Sequence, residues 1–222
     1  MKDARHHPKI ETLADFAAGR LDEARAVVIA THAAFCEQCA AQIDEFEAIG
    51  GAVMETAEPV AMADDALERV LARADASANV VFRDQPASDT RSDLPEDRLP
   101  VSAYLKGSID DVDWRAVAPG ISQHVIEAEG YRPGVLRLLK IEPGVKMLAH
   151  SHQGDELTLI LRGAYRDDIG EFGVGDLADL DGEHTHQPEA IGDEPCICLI
   201  ATSAPLRFTT MLGRIAQPFV GM

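Results

Sequence analysis

The chain has 222 residues, 38 of them acidic and 20 basic, for a formal net charge of −18. That length holds one large domain or two small ones, and the charge repels nucleic-acid phosphates, which argues against direct DNA or RNA binding. An acidic chain suits a basic protein partner, although the same surface also serves solubility alone.

The opening segment Met1-Lys-Asp-Ala-Arg-His-His has no apolar core of the kind a signal peptide needs. No apolar stretch nears the roughly 20 residues of a membrane span, so the chain reads as cytoplasmic, with no membrane partner. Residues 1–76 are rich in Ala, Leu, Glu and Arg at helical spacing and predict a small helical domain. A short helix carries Leu13, Phe16 and Ala17 and stops at Gly19. A second runs from about Leu21 through Val27, Val28 and Ile29. A third spans about Glu37 to Ile49, stopped by Gly50 and Gly51. A fourth covers about Asp64 to Arg73, capped by Asp64 and burying Leu67, Val70 and Leu71.

Within this domain stands His32-x3-Cys36-x2-Cys39. If the segment is helical throughout, steps of four and seven residues return to nearly the same face. One imidazole and two thiolates on one stripe suit zinc, and a tetrahedral structural site wants a fourth ligand. His7 is the best placed candidate, with His6 as its substitute. A Cys-x2-Cys pair alone would equally suit a redox dithiol. A metal cross-link would add stability to a domain with few large apolar residues.

Residues 77–98 are rich in Asp, Ser and Arg, with Pro86 and Pro95, and read as a flexible linker apart from the triplet Val80-Val81-Phe82. From residue 99 to 222 the pattern changes to short runs such as Val135–Ile141, Leu157–Leu161 and Cys196–Ala201, which predict an antiparallel barrel or sandwich. Cys196 and Cys198 share one strand face, either as a pair of thiols that oxidise together or as two small buried fillers. His124 and Trp114 read as packing residues.

The stretch from Gly144 to Gly163 holds His150, His152 and Glu156 in the pattern G-x5-H-x-H-x3-E-x6-G. Residues two apart on a strand share a face, so His150 and His152 can address one ion while Ser151 faces away. The pattern resembles the first motif of the cupins, small antiparallel barrels that hold a metal in the barrel mouth. A second cupin motif would open at Gly175-Asp176 and supply a further histidine. Here the chain departs from the usual form: Asp181 stands where a proline is expected, and His184 and His186 compete for the position. His186 is favoured by its distance from the Cys-x-Cys strand and its place before Gln187-Pro188. Three histidines and a carboxylate accept Zn, Mn, Fe, Ni or Cu, and spacing does not choose among them.

The two constellations in this order resemble the ChrR-type zinc anti-sigma factors. The likeness extends through Arg5-His-His, Val28-Ile-Ala-Thr-His32, Ala48-Ile-Gly-Gly51, Cys196-Ile-Cys-Leu199, Ala204-Pro-Leu-Arg-Phe208 and Gln217-Pro-Phe219. It implies an α + β two-domain protein, a small zinc-binding helical bundle followed by an antiparallel cupin barrel. It also implies a non-enzymatic role: the helical domain would bind and inhibit an alternative, extracytoplasmic-function sigma factor. His7, His32, Cys36 and Cys39 would ligate zinc, and zinc is the expected ion at His150, His152, Glu156 and His186 as well. The implied signal for release is oxidative stress, singlet oxygen in the best-known cases. The rival reading is a metal-dependent cupin enzyme, a dioxygenase or isomerase, for which Tyr165 and Glu183 are the available acid/base groups. A metal-storage or sensor protein without a sigma partner is a third.

Overall fold

A computed structural model describes residues 4–76, 98–105, 107–127, 134–152, 154–181, 185–202 and 206–208. The Val80-Val81-Phe82 triplet, His184 and Glu183 lie outside these residues. Four helices come first: α1 (Ile10–Ala17), α2 (Glu23–Phe35), α3 (Glu37–Glu55) and α4 (Ala66–Ala76). Gly19 ends α1 in a left-handed conformation at φ 64°. Its N–H bonds Phe16 O and that of Arg20 bonds Asp15 O, closing the two orphan carbonyls as in a Schellman motif. Asp22 caps α2 by accepting the Arg25 N–H at 2.9 Å.

The second and third helices are separate, the third starting at Glu37 as expected, so His32, Cys36 and Cys39 do not share one continuous helix: Cys36 is extended, at φ −123° and ψ 104°, closing one helix and capping the next with its own thiol. Two helical expectations are corrected. Gly50 and Gly51 do not stop α3, which continues to Glu55. Neither has a positive φ, so each costs helix propensity of about 1 kcal/mol without forcing a turn. Finally, Leu67, Val70 and Leu71 on α4 are not buried but 66%, 60% and 55% exposed, because no described part of the chain covers that face.

A short 3-10 turn at Pro100–Tyr104 leads, among the described residues, into twelve strands: β1 (Arg115–Ala118), β2 (Ile121–Ile126), β3 (Val135–Ile141), β4 (His150–His152), β5 (Glu156–Arg162), β6 (Ala164–Arg166), β7 (Glu171–Gly173), β8 (Leu177–Leu180), β9 (Thr185–His186), β10 (Glu189–Ile191), β11 (Cys196–Thr202) and β12 (Leu206–Phe208). They form a six-stranded sheet in the order β1-β2-β3-β11-β5-β8 and two three-stranded sheets, β10-β6-β7 and β12-β4-β9, and every pairing is antiparallel.

The large sheet is buried on both faces, which is why β3, β5 and β11 read as nearly unbroken apolar runs. On the inner face Leu139, Ile141, Ile160, Ala178, Cys196 and Cys198 pack with Tyr165, Phe172 and Met147. On the other, Leu136, Leu138, Leu157, Leu159, Leu161, Ile197, Leu199 and Ala201 join one cluster with Val27, Val28 and Ile29 of α2 and with Leu99 and Val101. Helix α2 therefore lies on the outer face of the sheet. Tyr104 anchors the entering strand segment to it, its hydroxyl donating to Glu23 Oε1 at 2.9 Å. Trp114 is a packing residue as expected, partly buried against the shared cluster, with Lys140 Nζ 5.0 Å from its ring centroid; His124 is half-buried and its Nδ1–H donates to the Asp113 carbonyl at 3.2 Å.

Candidate metal centres

The break at Cys36 builds the first centre. It turns the last turn of α2 and the first turn of α3 toward the N-terminal segment, so His32, Cys36 and Cys39 meet His7. Their four ligand atoms all lie within 4.8 Å of one another. His7 Nδ1 is 3.4 Å from each sulfur, close to the roughly 3.6 Å edge of a tetrahedron with ordinary zinc–sulfur and zinc–nitrogen bonds. His32 is fully buried, its Nδ1–H donating to the Gly175 carbonyl at 2.9 Å. Its Nε2 is buried without a hydrogen-bond partner among the described residues. A buried lone pair with nothing to accept from is costly unless an ion takes it up. The residues present thus fit a tetrahedral ion of the zinc type.

The two thiols are unequal. The hydrogen bond with Cys39, helped by His32, pulls the Cys36 thiol down to about 3 against the opposing effect of burial. The same bond, together with burial, pushes Cys39 up. A divalent cation in the cluster would favour the thiolate form of both sulfurs. His6 plays no part in the cluster. Its ring stacks on Phe172 with centroids 4.1 Å apart, and its Nε2–H reaches Glu171 O at 3.2 Å.

The second constellation lies in the barrel. Backbone register sets His150 directly opposite His186 across β4 and β9, and His152 opposite Leu206 on β12. Glu156 opens β5 and pairs with Leu180 on one side and Thr202 on the other. It is buried and accepts from Thr158 Oγ1 at 3.1 Å. Burial raises its carboxyl above the usual range, against the opposing pull of His186 and Arg137. His186 is also buried, and its Nδ1–H donates to Asp167 Oδ2 at 3.0 Å. That bond places the proton on Nδ1 and the ring lone pair on Nε2, the arrangement by which a carboxylate orients a histidine ligand. Burial works against the charge on Asp167, but His186 and the backbone N–H groups of Ile169 and Gly170 outweigh it and hold the carboxyl low.

Glu156 and His186 open onto a small cavity, walled mainly by apolar groups such as Leu139, Met147 and Ile200, with Tyr165. The buried Tyr165 hydroxyl has no hydrogen-bond partner among the described residues. Cys196 and Cys198 are buried with their sulfurs 3.5 Å apart, and the Cys198 thiol is pushed well up by Cys196 and by burial. Sequence reasoning missed Asp167, which sits in the β6–β7 turn with no motif around it, and the Gly175 carbonyl, because a backbone acceptor leaves no residue-type signal.

A family model described as the ChrR cupin-like domain matches residues 105–205. The anti-sigma-E factor ChrR of Cereibacter sphaeroides is 39% identical over 215 residues, covering 97% of this chain and 97% of its own. The crystal structure of Rhodobacter sphaeroides SigE in complex with the anti-sigma ChrR superimposes with a TM-score of 0.75 at 36% identity, covering 90% of this chain and 99% of that one.

Proposed function

The chain belongs to the ChrR family, and from that premise we propose that it is an anti-sigma factor whose helical part, residues 1–76, binds and inhibits an extracytoplasmic-function sigma factor. The observation that carries this reading is the apolar face of α4. Leu67, Val70 and Leu71 lie at helical spacing on one face, more than half exposed, and Ile49, Val53 and Met54 at the end of α3 are 61%, 65% and 77% exposed. Groups of this size left in water are the anchors of a helical clamp awaiting a partner. The net charge of −18 suits basic surfaces of the kind that touch DNA or polymerase and would speed encounter by steering.

In this reading His7, His32, Cys36 and Cys39 hold a structural zinc that ties the N-terminal segment to the α2–α3 junction and fixes the base of the clamp. The barrel, residues 99–222, holds a divalent ion through His150, His152, Glu156 and His186, with zinc favoured over Mn, Fe or Ni by family membership. An ion there would act as a Lewis acid or as the seat of a small ligand beside the apolar cavity. This chain's residues orient the ligands, exclude bulk water and present Tyr165 to the same space. The barrel receives an oxidative signal and loosens the complex. The dioxygenase or isomerase alternative is set aside by membership in a family of regulators.

The test is transcription in a purified system with polymerase core and an extracytoplasmic-function sigma factor from the same genome. The full chain should abolish sigma-dependent transcripts, and L71D should restore them. Undiminished transcription at a tenfold excess of zinc-loaded protein over every such sigma factor would refute the reading.

A further inference from the structure

We propose that the β7–β8 turn of the barrel is the outer shell of the helical metal cluster, with the Gly175 carbonyl and the Asp176 carboxylate as positioning groups for His32 and His7. The proposal rests on the reading that the cluster holds zinc. Two of its four ligands are held from outside the helical part. The Gly175 carbonyl fixes which nitrogen of His32 carries the proton, at 2.9 Å, and so leaves Nε2 facing the other ligands. Asp176, only 2% exposed, accepts the backbone N–H groups of Arg5 and His6 on one oxygen, the second at 3.0 Å. The Leu177 N–H then donates to His6 O at 3.1 Å. These three bonds seize the peptide units immediately before His7 and set where its ring emerges.

The turn is shaped for this contact. Gly175 has φ +88°, and a Cβ there would stand 3.3 Å from Phe35 Cβ, one residue before Cys36. Only glycine brings the carbonyl this close to the end of α2 without strain. Asp176 also accepts the Gly173 N–H at 2.8 Å, which locks its carboxylate. Beyond the turn, Lys9 N–H and Thr12 Oγ1 both donate to Asp179 Oδ2, at 2.9 and 2.7 Å, so the docked segment continues into α1.

The arrangement connects the two centres. His6 stacks on Phe172, and Phe172 stacks on Tyr165 with centroids 4.8 Å apart. Tyr165 lines the barrel cavity beside Glu156 and His186. A displacement of β7 or its turn would therefore withdraw support from His7 and His32 together, so the barrel helps decide how firmly the helical zinc is held. Outer-shell groups of metal sites commonly alter affinity by about 10- to 100-fold when removed.

The experiment uses the zinc-loaded full chain. Excess chelator is added, and the rates at which the individual cysteines become alkylated are followed by peptide mass mapping. Asp176→Ala should expose Cys36 and Cys39 about tenfold faster or more, while Cys196 and Cys198 stay as slow as in the parent and report an intact barrel. Unchanged rates at Cys36 and Cys39 would overturn the proposal. If the variant does not fold and all four thiols react at once, nitrogen NMR of the parent decides. The His32 ring should be metal-bound at Nε2 with a slowly exchanging Nδ1 proton, and metal at Nδ1, or a proton that exchanges at the solvent rate, would equally overturn it. A parent whose Cys36 and Cys39 react alike with and without zinc would instead sink the zinc reading itself.

Discussion

At the scale of single residues, the two centres differ in how their histidines are oriented, and the difference predicts separable losses. His32 is set by a backbone carbonyl and His186 by the Asp167 carboxylate. C36S should therefore lose about one equivalent of zinc by elemental analysis, whereas C196S, deep in the barrel, should lose none. D167N should lower metal affinity in the barrel by about 10- to 100-fold, measured by chelator competition, and leave the helical zinc in place. The residues of the helical cluster were legible in the sequence as candidate ligands because an imidazole and two thiols stand at short spacing. The groups that orient the histidines were not, since Asp167 and Gly175 come from turns 19 and 143 positions away along the chain, across contacts that only the fold creates.

At the scale of elements, α4 is the informative one. Its apolar positions form a helical stripe in the sequence that suggests an internal core, but periodicity reports that a face is apolar and not what covers it. The face is exposed. V70D on that surface should cost little stability, with the melting temperature shifted by no more than about 2 °C, because few contacts within the chain are lost. The same change should weaken sigma binding by about 30-fold or more if Val70 is a central anchor worth about 2 kcal/mol. A large fall in melting temperature with unaltered binding would place α4 in an internal role. The α2–α3 break is the complementary lesson. Spacing of four and seven residues matched one helical face, yet the ligands meet because the chain turns at Cys36.

At the scale of the whole molecule, the helices and the large sheet share a hydrophobic cluster that runs from Val28 on α2 to Leu159 and Leu199 on the sheet. The apolar runs of β3, β5 and β11 showed strands of a barrel or sandwich in the sequence. What they could not show was that the outer cover is helix α2, which carries His32 of the candidate metal cluster. L159A, which removes a side chain wholly buried in that cluster, should cost about 2–5 kcal/mol. It should lower a single calorimetric transition in which helices and barrel unfold together, whereas two separate transitions would mean that the shared core does not couple them. A clamp and a barrel built as one body give an ion or ligand in the barrel a mechanical route to the sigma-binding part, and any coupling must be reciprocal.

The most direct measurement is size-exclusion chromatography of the full chain expressed together with an extracytoplasmic-function sigma factor of the same genome, with zinc assayed across the peak. A stoichiometric, zinc-containing complex that is lost on His32→Ala is the expected result. A zinc-loaded chain that elutes apart from every such sigma factor would contradict the account.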